Sequence, residues 1–229
     1  MNNIIGIIGA MDIEVSGLLS EMSNTEKHVY GGIVFTKGIL CGKEVVVAKC
    51  GIGKVFAAMC AQTMILNYSP RYIINSGVAG ALSGELNILD AVVATCVVQH
   101  DMDTSPLGDP KGLISGINVV NFDTDSGVSD IMEKSIKHLG INTVRGIIAS
   151  GDQFIANAQR KKEIAAEFDA IACEMEGASI GQVCYVNKVP FAVMRTISDG
   201  KGEALDYMTF SKIAANRSID IIKKFLMNA

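Results

Sequence analysis

The chain of 229 residues contains no tryptophan, and only 6% of it is aromatic. Its core must therefore come from Ile, Val, Ala and Met, within a hydrophobic content of 49%. It also lacks a block of like charge. The net charge is −4, the pI about 5.4, and the only adjacent basic residues are Arg160-Lys161-Lys162 and Lys223-Lys224. A nucleic-acid partner would need a clustered basic face, so none is expected. No apolar run approaches the ~18 residues of a membrane helix, although mean hydropathy is +0.33. The longest candidate, Ala91 to Val98, is interrupted by Thr95 and reads as a buried strand. The opening MNNIIGIIGAM has no basic segment and too short an apolar stretch for a secretory signal. The six cysteines (41, 50, 60, 96, 173 and 184) form no C-x-x-C pair. They read as small buried hydrophobes in a reducing cytoplasm. Only three histidines occur, so Gln99-His100-Asp101-Met102-Asp103 reads as hydrogen-bonded loop acids rather than a metal site. Neither metal nor cofactor is expected. With no Pro/Ser-rich linker and no repeat, residues 1–229 read as one domain.

What the chain does have is concentrated between Ala170 and Asp199. A short apolar run ends at Glu174-Met175-Glu176, a small-residue helix follows, and the strand VPFAVMRTI ends on Ser198-Asp199. In open α/β sheets ligands bind at the carboxyl ends of strands, so acids at a helix start and a strand end can share one crevice. Glu174 and Glu176 cannot share a helical face, because only residues three or four apart do so. One can meet a ligand while the other faces solvent or the helix's own first turn. Both could equally act only as acids favouring a helix N-terminus.

The rest of the chain alternates strand and helix patterns. Ile4 to Ile8 is a strand, followed by a loop and helix that place Glu14 in a first turn. On position alone, Glu14 complements the helix dipole. Two β-rich runs flank Cys41-Gly42, a hairpin signal. Gly51-Ile52-Gly53-Lys54 opens an Ala/Met-rich helix, but Phe56 occupies the place of the third glycine of a dinucleotide fingerprint. Its glycines are expected to permit close backbone approach. Ser76 to Ala81 reads as a small-residue loop after a strand. Residues 105–121 are loop-like, and apolar steps at Val128, Ile131, Met132, Ile136 and Leu139 mark a helix. Thr143 to Ala149 is a strand leading to Ser150-Gly151-Asp152-Gln153-Phe154-Ile155, then a polar helix from Asn157 to Phe168. A final helix begins near Thr209. The outcome is an α/β fold with a mixed sheet, with strand ends before Gly9, Gly51, Gly77, Ser150 and Ser198 converging on one site.

Taken together, GIIGAMDIE, CGIGK, NSGVAGAL, SGDQFI, EMEG and RTISD resemble the 5′-methylthioadenosine/S-adenosylhomocysteine nucleosidases, of the purine nucleoside phosphorylase and uridine phosphorylase superfamily. The resemblance spans the chain. It implies a nucleoside phosphorylase-like three-layer α/β/α sandwich with a central mixed twisted sheet, a homodimer, and hydrolytic release of adenine. It implies that Asp199 is the general acid toward adenine N7, that Glu14 activates water, and that Glu176 binds the ribose hydroxyls with Met175 against the sugar. Phe154 would stack on adenine and Ile155 bond its edge through backbone. Ser198 and Arg195 would support these groups. Ile52 and Phe210 would line the 5′-thio pocket, and the loop from His100 to Gly112, including Leu107, would complete the partner subunit's pocket. Val78 and Leu107 depart from the family pattern, standing where Ser and Phe are familiar.

The chemistry agrees with those roles. Adenine leaves poorly as an anion, so an acid must protonate it. An Asp has an ordinary pKa of about 3.9, and an apolar strand end with little positive charge nearby would favour its protonated form. Water attacking the opposite face of C1′ needs a second carboxylate, and a third favours the developing cation. A phosphorolytic enzyme would instead need cations, usually arginines, at these strand ends. The fragments GIIGAMDIE and IINSGVAG contain none. Futalosine hydrolysis and simple nucleoside binding are the remaining alternatives.

Overall fold

The computed structural model describes residues 3–199 and 204–229, the side chains of 204–206 excepted. The chain runs β1 (Ile5–Gly9), α1 (Asp12–Glu21), β2 (Ser23–Tyr30), β3 (Ile33–Leu40), β4 (Lys43–Lys49), α2 (Lys54–Tyr68), β5 (Tyr72–Ala81) and β6 (Ala91–Gln99). It continues with β7 (Phe122–Asp123), α3 (Ser126–His138), β8 (Thr143–Ser150), α4 (Ala158–Phe168), β9 (Ala170–Glu174), α5 (Gly177–Asn187), β10 (Phe191–Asp199) and α6 (Ala204–Asn228).

Consecutive strand residues point to opposite faces, and here both faces are apolar. Ile7, Val47, Ile74 and Met194 pack with residues of α1, α3 and α6. Their neighbours Ile8, Val46, Ile73 and Val193 pack with α2 and α5. Continuous apolar runs are what a strand buried on both faces requires. A three-layer α/β/α arrangement follows. A fully buried Ile or Val stabilises it by about 1.5–3 kcal/mol relative to exposure.

The sheet is mixed. β1 pairs in parallel with β4 and β5, and β4, β3 and β2 form an antiparallel ladder. Beyond β5 the sheet curls back on itself. β5 pairs with both β9 and β10, and β10 also pairs with β6, which continues through β8 to β9. Five strands thus close a ring.

Two boundaries differ from the sequence reading. Residues 76–81 belong to β5, where pairing with β10 from Ser76 to Gly80 keeps them extended. Helix α6 begins at Ala204 rather than near Thr209. Strand β2, exposed along most of its length, carried no clear apolar signal. Among the described residues no helix is long and apolar enough to cross a membrane.

Candidate active site

A cavity of about 400 Å³ opens where β1, β5, β9 and β10 end. Its lining includes Glu14, Ile52, Val78, Phe154, Ile155, Met175, Glu176, Ser198 and Asp199. Arg195, Leu107 and Phe210 lie outside that lining. Tyr207, one helical turn before Phe210, lines it instead.

Glu14 reaches the cavity from the first turn of α1 and is buried. One carboxylate oxygen accepts from Ala10 N at 2.7 Å and Met11 N at 3.0 Å, and the other from Val78 N at 3.0 Å. Helix capping and cavity lining are therefore the same interaction. Burial raises its pKa, opposed first by the charge of Arg195 and then by these backbone donors. Gly77 makes the approach possible, since a Cβ there would run into Glu14 Oε1.

Glu174 and Glu176 divide, though not through helical spacing: Glu174 is the last residue of β9 and Glu176 the N-cap of α5, so neither lies within the helix. Glu174 accepts from Gly177 N at 3.0 and 2.8 Å and from Glu176 N at 3.0 Å, serving the start of α5. It also bonds Ser150 Oγ and pairs with Arg195. Arg195 is 2% exposed and donates to Asn75 Oδ1 as well. Glu176 is turned into the cavity, where Gly53 N donates to its Oε1 at 2.8 Å. The glycine turn is thus an approach of backbone to a neighbouring side chain, with Gly53 at φ 100°. Burial, reinforced by the adjacent Glu174 charge, pushes the Glu176 pKa up to about 8.

Asp199 ends β10. Ser198 Oγ donates to its Oδ1 at 3.2 Å, and a Cβ on Gly80 would stand 3.0 Å from Oδ2. The expectation of little positive charge nearby is overturned: Lys161 of α4 donates to Oδ2 at 2.7 Å, both side chains being buried. Sequence reading missed Lys161 because Gln-Arg-Lys-Lys-Glu reads as a solvated helix face. The available signal was its position on the inward stripe with Ile164, three residues on.

The aromatic pair is edge-on, Phe154 and Tyr207 having ring centroids 5.2 Å apart. Phe154 remains 52% exposed, leaving a ring face for a planar ligand. Lys54 is committed elsewhere, to Asp101 at 2.6 Å and Gln99 at 3.1 Å. Asp101 also accepts from Asp152 N at 2.8 Å, the hydrogen-bonded role expected of that loop acid. Among the described residues, no group of three or more His, Cys, Asp or Glu is placed to hold a metal.

The phosphorylase superfamily model matches residues 4–227. The chain belongs to this superfamily, within its 5′-methylthioadenosine/S-adenosylhomocysteine nucleosidase family. A nucleosidase of that name from Shewanella loihica is 41% identical over 197 residues, 85% of each chain. The Neisseria meningitidis nucleosidase, solved with methylthio-immucillin-A, superposes with a TM-score of 0.95 at 29% identity, covering 99% of this chain and 100% of that one. Futalosine hydrolase of Helicobacter pylori gives 0.93 at 36% identity, covering 99% and 98%.

Proposed function

We propose that this chain hydrolyses the N-glycosidic bond of 5′-methylthioadenosine and S-adenosylhomocysteine, releasing adenine. The observation that carries the mechanism is the meeting of Glu14, Glu176 and Asp199 in one cavity. Asp199 is the acid that protonates the departing purine at N7. Glu14, raised by burial, accepts a proton from the attacking water. Glu176 takes the ribose hydroxyls, with Met175 against the sugar. Phe154 supplies the face for adenine, Ile155 its backbone, and Ser198 steadies Asp199. Arg195 acts at one remove, by holding Glu174 and the start of α5. Ile52 and Tyr207 border the 5′ end. The names of the relatives support the methylthio and homocysteinyl substrates.

Hydrolysis rather than phosphorolysis follows from charge. A phosphate nucleophile carries about −1.5 to −2 charges and calls for paired cations, preferably arginine. Arg195 and Lys54 are each paired with an acid, and Glu14 would repel an anion. Asp199→Asn tests the acid. Turnover should fall roughly 10²–10⁴-fold while nucleoside binding survives; near-normal turnover would refute it.

The chain also forms a cytoplasmic homodimer in this reading. Val55, Phe56, Met59 and Leu66 expose apolar surface along α2, and Leu107 is 83% exposed in the loop assigned to the partner subunit's pocket. Light scattering should give a dimer; a fully active monomer at assay concentration would contradict it.

A further inference from the structure

Lys161 is a costly residue where it stands. It is the fourth residue of α4, near the helix's positive end, where a cation is unfavourable. It is 4% exposed, on the same inward stripe as Ile164. Burying an ion pair is often no better for stability than apolar packing of similar volume, so stability alone gives little reason for a lysine. Its ammonium meets one oxygen of the residue assigned as leaving-group acid, 2.7 Å from Asp199 Oδ2. Ser198 Oγ holds the other oxygen.

We propose that Lys161 is a positioning residue for Asp199, a role that rests on the acid assignment above. Its ammonium anchors Oδ2 and so sets the carboxyl plane, leaving Oδ1, beside Ser198, to address the purine. It also stabilises the charge that appears on Asp199 during the reaction. Asp199, an ion pair with Lys161 in the empty site, first takes a proton from water reaching the cavity. That O–H bond then breaks, an N–H bond forms on the purine, and the glycosidic electron pair passes to the departing base. The negative charge returned to Asp199 then lies against the Lys161 ammonium. That contact is stronger in the transition state than before it, as catalysis requires.

The test compares two leaving groups. Adenine needs the proton; a 4-nitrophenyl 5-methylthioriboside does not, because nitrophenolate departs as a stable anion. Lys161→Met keeps the buried volume and should lower kcat on methylthioadenosine by roughly 10–100-fold, the scale of a misplaced catalytic group, with KM little changed. Its turnover of the nitrophenyl substrate should stay within about threefold of the parent, since that reaction needs no donated proton. Lys161→Arg should recover part of the loss. Lys161→Gln, which keeps a donor without the charge, serves the same comparison if the Met variant is not recovered folded. Asp199→Asn is the reference. If it is inactive on methylthioadenosine while the Lys161 variants match the parent, or lose equally on both substrates, the positioning role is overturned and the acid assignment stands. If Asp199→Asn itself retains turnover, the acid assignment falls and the positioning role with it.

Discussion

Two buried ion pairs flank the cavity, and they differ in what surrounds them. Around Glu174 and Arg195 the contacts come from strands and helix backbone, although Arg195 Nε is buried without a hydrogen-bond partner among the described residues. Ser150, Asn75 and the backbone of α5 take part, and Asn75 itself donates to Ile8 O at 3.0 Å. This network ties β1, β5, β8, β9 and β10 to the start of α5, and so aims Glu176. Asp199 and Lys161 stand at the edge of the cavity. Ser198 Oγ also reaches Asp199, and Asp199 opens to the cavity. A pair enclosed by strands and helix backbone holds structure together. A pair that faces a cavity has capacity left for a ligand.

The sharpest way to break this comparison is to remove one cation from each pair. Arg195→Met leaves Glu174 buried without its counter-charge, and should cost about 3–5 kcal/mol of stability, the usual penalty for halving a buried pair. Lys161→Met also halves a buried pair, but it leaves Asp199 beside a cavity that water can enter, and should cost less than Arg195→Met. Denaturant unfolding of the two variants measures both. Equal losses would mean that the two pairs are structurally alike.

A smaller effect sharpens the same contrast through pH. Burial raises the Glu176 pKa from an ordinary 4.5 to about 8. The folded state therefore holds a proton that the unfolded chain has released. Stability from this group is full below about 4.5 and is lost as pH rises toward about 8. Glu14, also raised by burial, acts with the same sign. The melting temperature of the empty protein should therefore fall between about pH 5 and pH 8. Glu176→Gln should flatten that fall, whereas an unchanged slope would remove Glu176 as its source.

The comparison also explains what the sequence revealed. Glu14, Glu176 and Asp199 were named through the family resemblance; on position alone Glu14 read as a helix-dipole acid, and the apolar strand ending on Ser198-Asp199 was what pointed to a site. The glycines of NSGVAG were legible as small residues but not in their purpose. Gly77 and Gly80 make room for Glu14 and Asp199 against an extended strand. Closure of the strand ring was hidden, because the pairing of β10 with both β5 and β6 depends on tertiary contact. Lys161 was hidden for another reason: in so charged a helix only its three-residue spacing from Ile164 marked the charge that turns inward. Tyr207 lay behind its neighbour Phe210, three residues along the same helix, where either aromatic could have faced the cavity.

The central claim is that, among the described residues, the cations beside this cavity serve acids and none is left to hold a phosphate nucleophile. Lys161 faces Asp199, Arg195 faces Glu174 and Lys54 faces Asp101. The direct measurement is adenine release from methylthioadenosine in phosphate-free buffer, with the sugar product identified by mass. The account predicts full turnover and free 5-methylthioribose, unchanged when phosphate is added. Strict dependence on phosphate, with a sugar 1-phosphate as product, would contradict it.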